Sequence, residues 1–252
     1  LIEYDDCCIE WPNCCCGPKE SKINTERSGA DNLKWFYSQA DDTDRQEGKL
    51  AYFRYNSVMY MLSNFYDMPL SRVTAAFCHL SPNNDYIGNL RSLVSVLEGM
   101  RKGVADEDII ISTYNHCKDR AISSLRGDPF ETKTRGLKIL SFYHNILNPL
   151  DPNYVTVDGH MIAAYRDEPD ANMKESIVGR REYREIANEF FKMAAEMDLI
   201  PNQLQATIWF TRKRIYNIKY NANPDMFNEP GDKWGSMVNL VDIPPYPIKE
   251  SA

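Results

Sequence analysis

Lys138 and Asp158 are an amine and a carboxylate twenty residues apart, on either side of one short Pro-rich loop. Gly136 lies two residues before Lys138. A glycine there permits a tight turn in which backbone amides approach an anion at a helix N-terminus. Asp158 falls where a new helix begins, so its carboxylate either caps that helix or points into the space opposite Lys138. His160 follows on the same turn, either packed in the helix or touching a ligand. Gln205 and Trp209 stand at i and i+4 and share a helix face, as a core Trp beside a hydrogen-bonded Gln or as ligand contacts. Arg212-Lys213-Arg214 reads as a solvated helix end or a phosphate contact. His116 and His144 read as structural, and the four histidines have no metal-ligand spacing.

The elements that must position these residues are helical. Leu33, Phe36, Tyr37 and Ala40 fall on one face of a helix starting near Asp31. A second helix fits Gly48 to Tyr66, with Leu50, Phe53, Tyr60, Met61 and Phe65 as its apolar positions. Pro69 starts a third, carrying Val73, Ala76, Phe77 and Leu80. Ser81-Pro82-Asn83-Asn84-Asp85 breaks it and caps a fourth, which Gly99 and Gly103 end. Further helices fit Asp106 to Leu125, Glu131 to Leu147, Val157 to Tyr165, Arg181 to Leu199 and Asn202 to Tyr216. The only strand-like run, Tyr154-Val155-Thr156-Val157, is too short to build a sheet. The expected class is all-α: an irregular Cys-rich arm over 1–27, one helical domain over 28–220, and a Pro/Gly-rich tail over 221–252 that wraps the surface.

The 252 residues are enough for a buried core, and 43% hydrophobic with 26% charged residues is an ordinary globular balance. No apolar run approaches the roughly 18 residues of a membrane span, and no signal peptide is visible, so a chain without membrane association is expected. The net charge of −7 argues against a broad duplex-binding face, although local basic clusters remain at Lys133, Arg135 and Lys138 and at Arg212, Lys213, Arg214 and Lys219. Five of the seven cysteines, Cys7, Cys8, Cys14, Cys15 and Cys16, crowd the first 16 residues. They could hold zinc or an iron–sulfur centre, but their spacing fits no assignable site, and free or disulfide-bonded thiols are the alternative. Cys78 and Cys117 are expected to be buried as small hydrophobes.

Gly136-Leu137-Lys138, the apolar helix Ile139 to Ile146, and Val157-Asp158-Gly159-His160 resemble the signature of the helix-hairpin-helix (HhH-GPD) DNA glycosylase superfamily. Leu80-Ser81-Pro82-Asn83-Asn84-Asp85, with Asn89 beyond, looks like that superfamily's Leu-Ser-x-Gln stretch, which inserts a polar side chain into DNA. The run Tyr114 to Ala121 resembles its Tyr-x-x-Lys-Ala helix. The chain is also similar to a phage-type branch, through Lys138 to Ile146, Val155 to His160, and Pro201 to Trp209. Two departures stand out. The hairpin keeps only one glycine, and no cysteine follows Cys117, so the iron–sulfur loop that some members carry after the Asp is absent.

The resemblance implies a helical glycosylase-like domain, in two lobes with a cleft, acting on a damaged or modified DNA base flipped out of the stack. Asp158 would stabilise an oxocarbenium-like sugar or activate the attacking nucleophile. Lys138, its pKa depressed by desolvation or by Arg135, would attack C1′ and form a Schiff base that permits strand cleavage. Asn83 or Asn84 would fill the gap left by the base. Gly136, His160, Gln205 and Trp209 are the further substrate-contact candidates, and Arg135, Arg212, Lys213 and Arg214 the DNA-backbone candidates. No cofactor is required. The partner is double- or single-stranded DNA, the chain a monomer, and the setting the cytoplasm or nucleoid of a phage-infected host. A base-hypermodification enzyme on the same scaffold and a non-enzymatic DNA-binding or virion-associated protein are the alternatives.

Overall fold

The computed structural model describes residues 27, 29–130, 136–168, 178–216, 218 and 245–246. Among these the chain is all-α, with no strand. Its helices are α1 Gly29–Ser38, α2 Asp42–Phe65, α3 Leu70–Leu80, α4 Tyr86–Lys102, α5 Asn115–Arg126, α6 Leu137–Leu147, α7 Gly159–Arg166, α8 Arg180–Glu196 and α9 Pro201–Ile215. No helix among them is long and apolar enough to cross a membrane. Of the expected tail, Tyr246 rests on α4: its N–H donates to Ser95 Oγ at 2.7 Å, and the Arg91 guanidinium lies 4.5 Å from its ring centroid.

Local signals explain most helix ends. α2 begins earlier than its apolar periodicity suggests because Asp41 and Asp44 form a reciprocal capping box. Asp85 caps α4 by accepting from the Gly88 N–H, and Gly103, at φ 68°, ends it in the left-handed region. Gly48 and Gly99 are not helix ends but lie inside α2 and α4. Gly48 faces α9, where an added Cβ would stand 2.6 Å from the Thr207 backbone nitrogen, so the glycine lets two backbones approach.

Two readings are corrected by tertiary contacts. The run from Asp106 to Leu125 is a 3-10 turn, Asp106–Asp108, then irregular chain before α5. That chain is pinned from outside: Lys118 Nζ donates to the Ile109 carbonyl at 2.9 Å, and Ser112 Oγ donates to Asn84 Oδ1 at 2.7 Å. On α2, Leu50, Phe53, Tyr60 and Phe65 are exposed, while Ala51, Tyr52, Val58, Met59 and Leu62 are buried. The approach at Gly48 sets which face turns inward. Residues 154–157 pair with no strand, as their shortness led us to expect. Instead Tyr183 Oη donates to the Val155 carbonyl at 3.1 Å and accepts from the Val157 N–H at 3.2 Å.

The buried apolar residues form two clusters. One gathers α2 to α6 around Leu62, Phe77, Leu93, Ile122 and Ile146. The other gathers α1, residues 155–157, α7 and α8 around Phe36, Val157, Met161, Ile186 and Phe190. α9 serves both, giving Ala206 and Phe210 to the first and Leu204 and Ile208 to the second, with Trp209 packed against each. The candidate site lies along this seam.

Candidate functional site at the start of α7

Asp158 is the N-cap of α7. Its backbone is extended, and its Oδ1 accepts from the Met161 N–H at 2.9 Å. The preceding residues are held from three sides. The Asn145 amide donates to the Tyr154 carbonyl and accepts from the Thr156 hydroxyl, both at 2.9 Å. Asn202 Nδ2 donates to the Pro149 carbonyl at 2.9 Å, and Tyr183 braces residues 155 and 157. The Asp158 backbone is therefore fixed by buried hydrogen bonds, while the residue as a whole remains partly exposed.

That carboxylate acts on several buried groups. Burial foremost, with the negative charge of Asp158 adding to it, pushes the phenols of Tyr52 and Tyr55 well above the tyrosine range. His160 is held below its ordinary value by burial. Asp158 opposes that shift, while Arg212, Lys213 and Lys138 reinforce it. Asp158, Lys138, Arg212 and Lys213 thus all act on one imidazole. Lys138 itself is exposed near the start of α6.

Gln205 and Trp209 do share a face of α9. Gln205 is buried and accepts at Oε1 from the Tyr52 hydroxyl at 2.8 Å. Trp209 is half-buried, edge-on to His160 at 5.9 Å between ring centroids, with Lys213 Nζ 4.5 Å from its own. The basic run after it is not a solvated helix end. Arg212 is fully buried and Lys213 nearly so, because α9 runs between the two clusters until its last turn. Arg212 sits at 3.1 Å from His160 Nδ1 and donates to the Glu168 carbonyl at 2.6 Å. Arg214 emerges, but ion-pairs with Asp44 at 2.6 Å and Asp41 at 3.2 Å.

Gly136 is the N-cap of α6 at φ −88°, ψ 122°, a conformation open to any residue, so no glycine-only turn precedes Lys138. A Cβ there would meet nothing within 4 Å among the described residues. Asn83 is exposed at φ 55° in the turn before α4, and Asn84 is tied to the Leu80 carbonyl at 3.2 Å and to Ser112. Lys118 is buried on backbone carbonyls. His144 stacks on Tyr154 at 3.9 Å and His116 on Tyr114 at 5.5 Å, both as packing partners. Cys78 and Cys117 are buried free thiols. Arg135 and Lys133, with Cys7, Cys8, Cys14, Cys15 and Cys16, lie outside the described residues. No group of three or more metal-ligating side chains occurs among the described ones.

The side chains brought to this place from separate helices are Tyr52, Tyr55, Tyr183 and Arg212. None follows a motif, and the partnership of Arg212 with His160 spans 52 residues. Of the four, the sequence singled out Arg212 alone, as a backbone-contact candidate.

Residues 17–215 match the model of a family described as "Family of unknown function (DUF7178)", and the chain belongs to that family. No curated protein and no solved structure matches it.

Proposed function

We propose that this protein is a DNA base glycosylase of helix-hairpin-helix type, acting on a flipped damaged or modified base and cleaving the strand through a lysine Schiff base. One observation carries the reading: Asp158 caps the start of α7, His160 on the same turn meets the edge of Trp209 at 5.9 Å, and the Lys138 amine stands exposed near the start of α6 on the other side of the loop. The two apolar clusters that meet along α9 support a two-lobed body with this site at their junction.

Asp158 stabilises positive charge developing on the sugar as the glycosidic bond breaks. The Lys138 amine attacks C1′ as the glycosidic bond breaks, and its surplus proton passes to the departing base. The C1′–O4′ bond then breaks to give the Schiff base, with O4′ taking a proton, and loss of a C2′ proton expels the 3′ phosphate by β-elimination, which cleaves the strand. Trp209 offers the aromatic surface on which an extruded base stacks.

The test is incubation of the chain with duplex and single-stranded DNA bearing uracil, oxidised or hypermodified bases, followed by heating in alkali. One substrate is expected to be nicked. Asp158→Asn is expected to lower nicking about a thousandfold, the scale of losing one transition-state charge contact. Lys138→Ala is expected to abolish borohydride trapping. No nicking on any substrate sinks the reading.

A second reading is a base-hypermodifying enzyme on the same scaffold. It is favoured by the burial of Arg212 and Lys213 and the pairing of Arg214, which leave no broad phosphate-gripping face on α9. Mass spectrometry of nucleosides distinguishes the two, since only the first leaves an abasic product.

A further inference from the structure

The contact between Arg212 Nη1 and His160 Nδ1 is 3.1 Å long, and both side chains are buried. A guanidinium offers five N–H donors and no lone pair, so the imidazole nitrogen facing it must accept. With the Nδ1 lone pair engaged, the single ring proton sits on Nε2. We infer that Arg212 is a positioning residue that locks His160 as the neutral Nε2–H tautomer, making the imidazole a fixed hydrogen-bond donor beside Asp158.

The lock is rigid because Arg212 is held at several points. Its Nη2 donates to the Glu168 carbonyl at 2.6 Å, and its guanidinium carbon lies 5.4 Å from the Tyr216 ring centroid. Glu168 follows Asp167, which ends α7 in the left-handed region at φ 56°. Arg212 therefore ties the first turn of α7, through His160, to the chain just beyond its last. Asp167 is anchored in turn by Arg27 at 2.8 Å and by the Tyr216 hydroxyl at 3.3 Å.

Charge works in the same sense. A second proton on His160 would place a cation against the guanidinium, and it would break the hydrogen bond. The charged groups facing the ring are Asp158 from its own helix, Lys138 from α6, and Arg212 and Lys213 from α9. Three of these four oppose protonation.

His160 is consequently not the general base of the site, and activation of a nucleophile falls to Asp158. Any group meeting Nε2 meets a donor. A carbonyl oxygen or unprotonated ring nitrogen of a base is accepted there, and an N–H edge is turned away. That use in base selection rests on the proposed function, but the tautomer does not.

Long-range nitrogen–proton NMR of the full chain, with His160 assigned by His160→Gln, tests the inference without any substrate. Wild-type protein is expected to give the neutral Nε2–H pattern from pH 7 down through the ordinary histidine midpoint of about 6.5. An Nδ1–H ring, or a doubly protonated one within that range, overturns it. Arg212→Met is expected to mix the tautomers and raise the proton affinity of His160 at least about tenfold. An unchanged pattern in a folded Arg212→Met variant removes Arg212 from the role. Should that variant not fold, the coupling across the hydrogen bond between Arg212 Nη1 and His160 Nδ1 in wild type decides the point, its presence supporting the lock and its absence overturning it. A chain with a locked His160 that nicks no DNA retires the glycosylase reading alone. A nicking chain with a protonated His160 retires only the lock.

Discussion

Two buried histidines, His79 on α3 and His160 on α7, are both held neutral, for reasons that coincide only in part. His79 lies 4.8 Å from the Phe130 ring, which stacks on Tyr143 at 4.2 Å. Burial, with the charge of Arg120 second, lowers its pKa to about 4. No hydrogen bond reaches its Nε2 among the described residues. His160 is also shifted down by burial, but its Nδ1 is bonded to Arg212 and an adjacent carboxylate resists the shift. At His79 the ring is neutral because the surroundings cannot solvate a cation. At His160 burial acts the same way, and in addition a fixed donor occupies the nitrogen that a second proton would need. The first ring is replaceable by an apolar one, whereas the second belongs to a polar network that fails when one member is removed.

The sharpest way to break the comparison is to remove each histidine's arginine. Arg212→Met takes a fully buried cation out of a network and is expected to cost about 3–5 kcal/mol in urea unfolding. Arg120→Met, at an exposed position, should change stability by less than about 0.5 kcal/mol. Equal losses would mean that the two histidines are held alike.

Acid comes next in size. The folded state keeps His79 unprotonated down to about pH 4, whereas the unfolded chain protonates it near 6.5. The unfolded state binds more protons in that window, so stability is full above about pH 6.5 and falls as pH drops towards 4, by about 3 kcal/mol for this group. His160 adds a contribution of the same sign. His79→Phe should flatten most of the slope in unfolding curves taken across that range, at little cost at neutral pH. A slope unchanged by His79→Phe would assign the acid sensitivity elsewhere.

Asp158 separates capping from chemistry. Asp158→Ala loses the cap and should cost about 1 kcal/mol, while Asp158→Asn keeps a good N-cap and should stay within about 0.5 kcal/mol of wild type. Both should lose nicking equally, so activity that follows stability instead would leave Asp158 with only a structural part. The smallest effect is expected at Lys138→Ala, an exposed change of less than about 0.5 kcal/mol whose readout is the loss of borohydride trapping.

Most of the helical layout was legible because caps and periodicity are local. Asp85, Gly103 and Pro69 mark the ends they were expected to mark or adjoin. The errors came where distant residues overrule local pattern. Lys118 and Asn84 draw the 109–114 run out of a helix, and Thr207 decides which face of α2 is buried. Gly136 suggested a special turn that an ordinary backbone conformation replaces.

At the site, the sequence alone was enough to put Asp158 at a helix start, His160 on the same turn, and Gln205 with Trp209 on one face. Each of those statements needs only residues within a helical turn of one another. That Arg212 is buried rather than solvated, and that it faces Nδ1 of a histidine on another helix, depends on how α9 is laid between two apolar clusters. A basic triplet at a helix end looks the same in sequence whether it meets water or protein. Only packing decides which, because burial and hydrogen-bond partnership are properties of the neighbours and not of the residue.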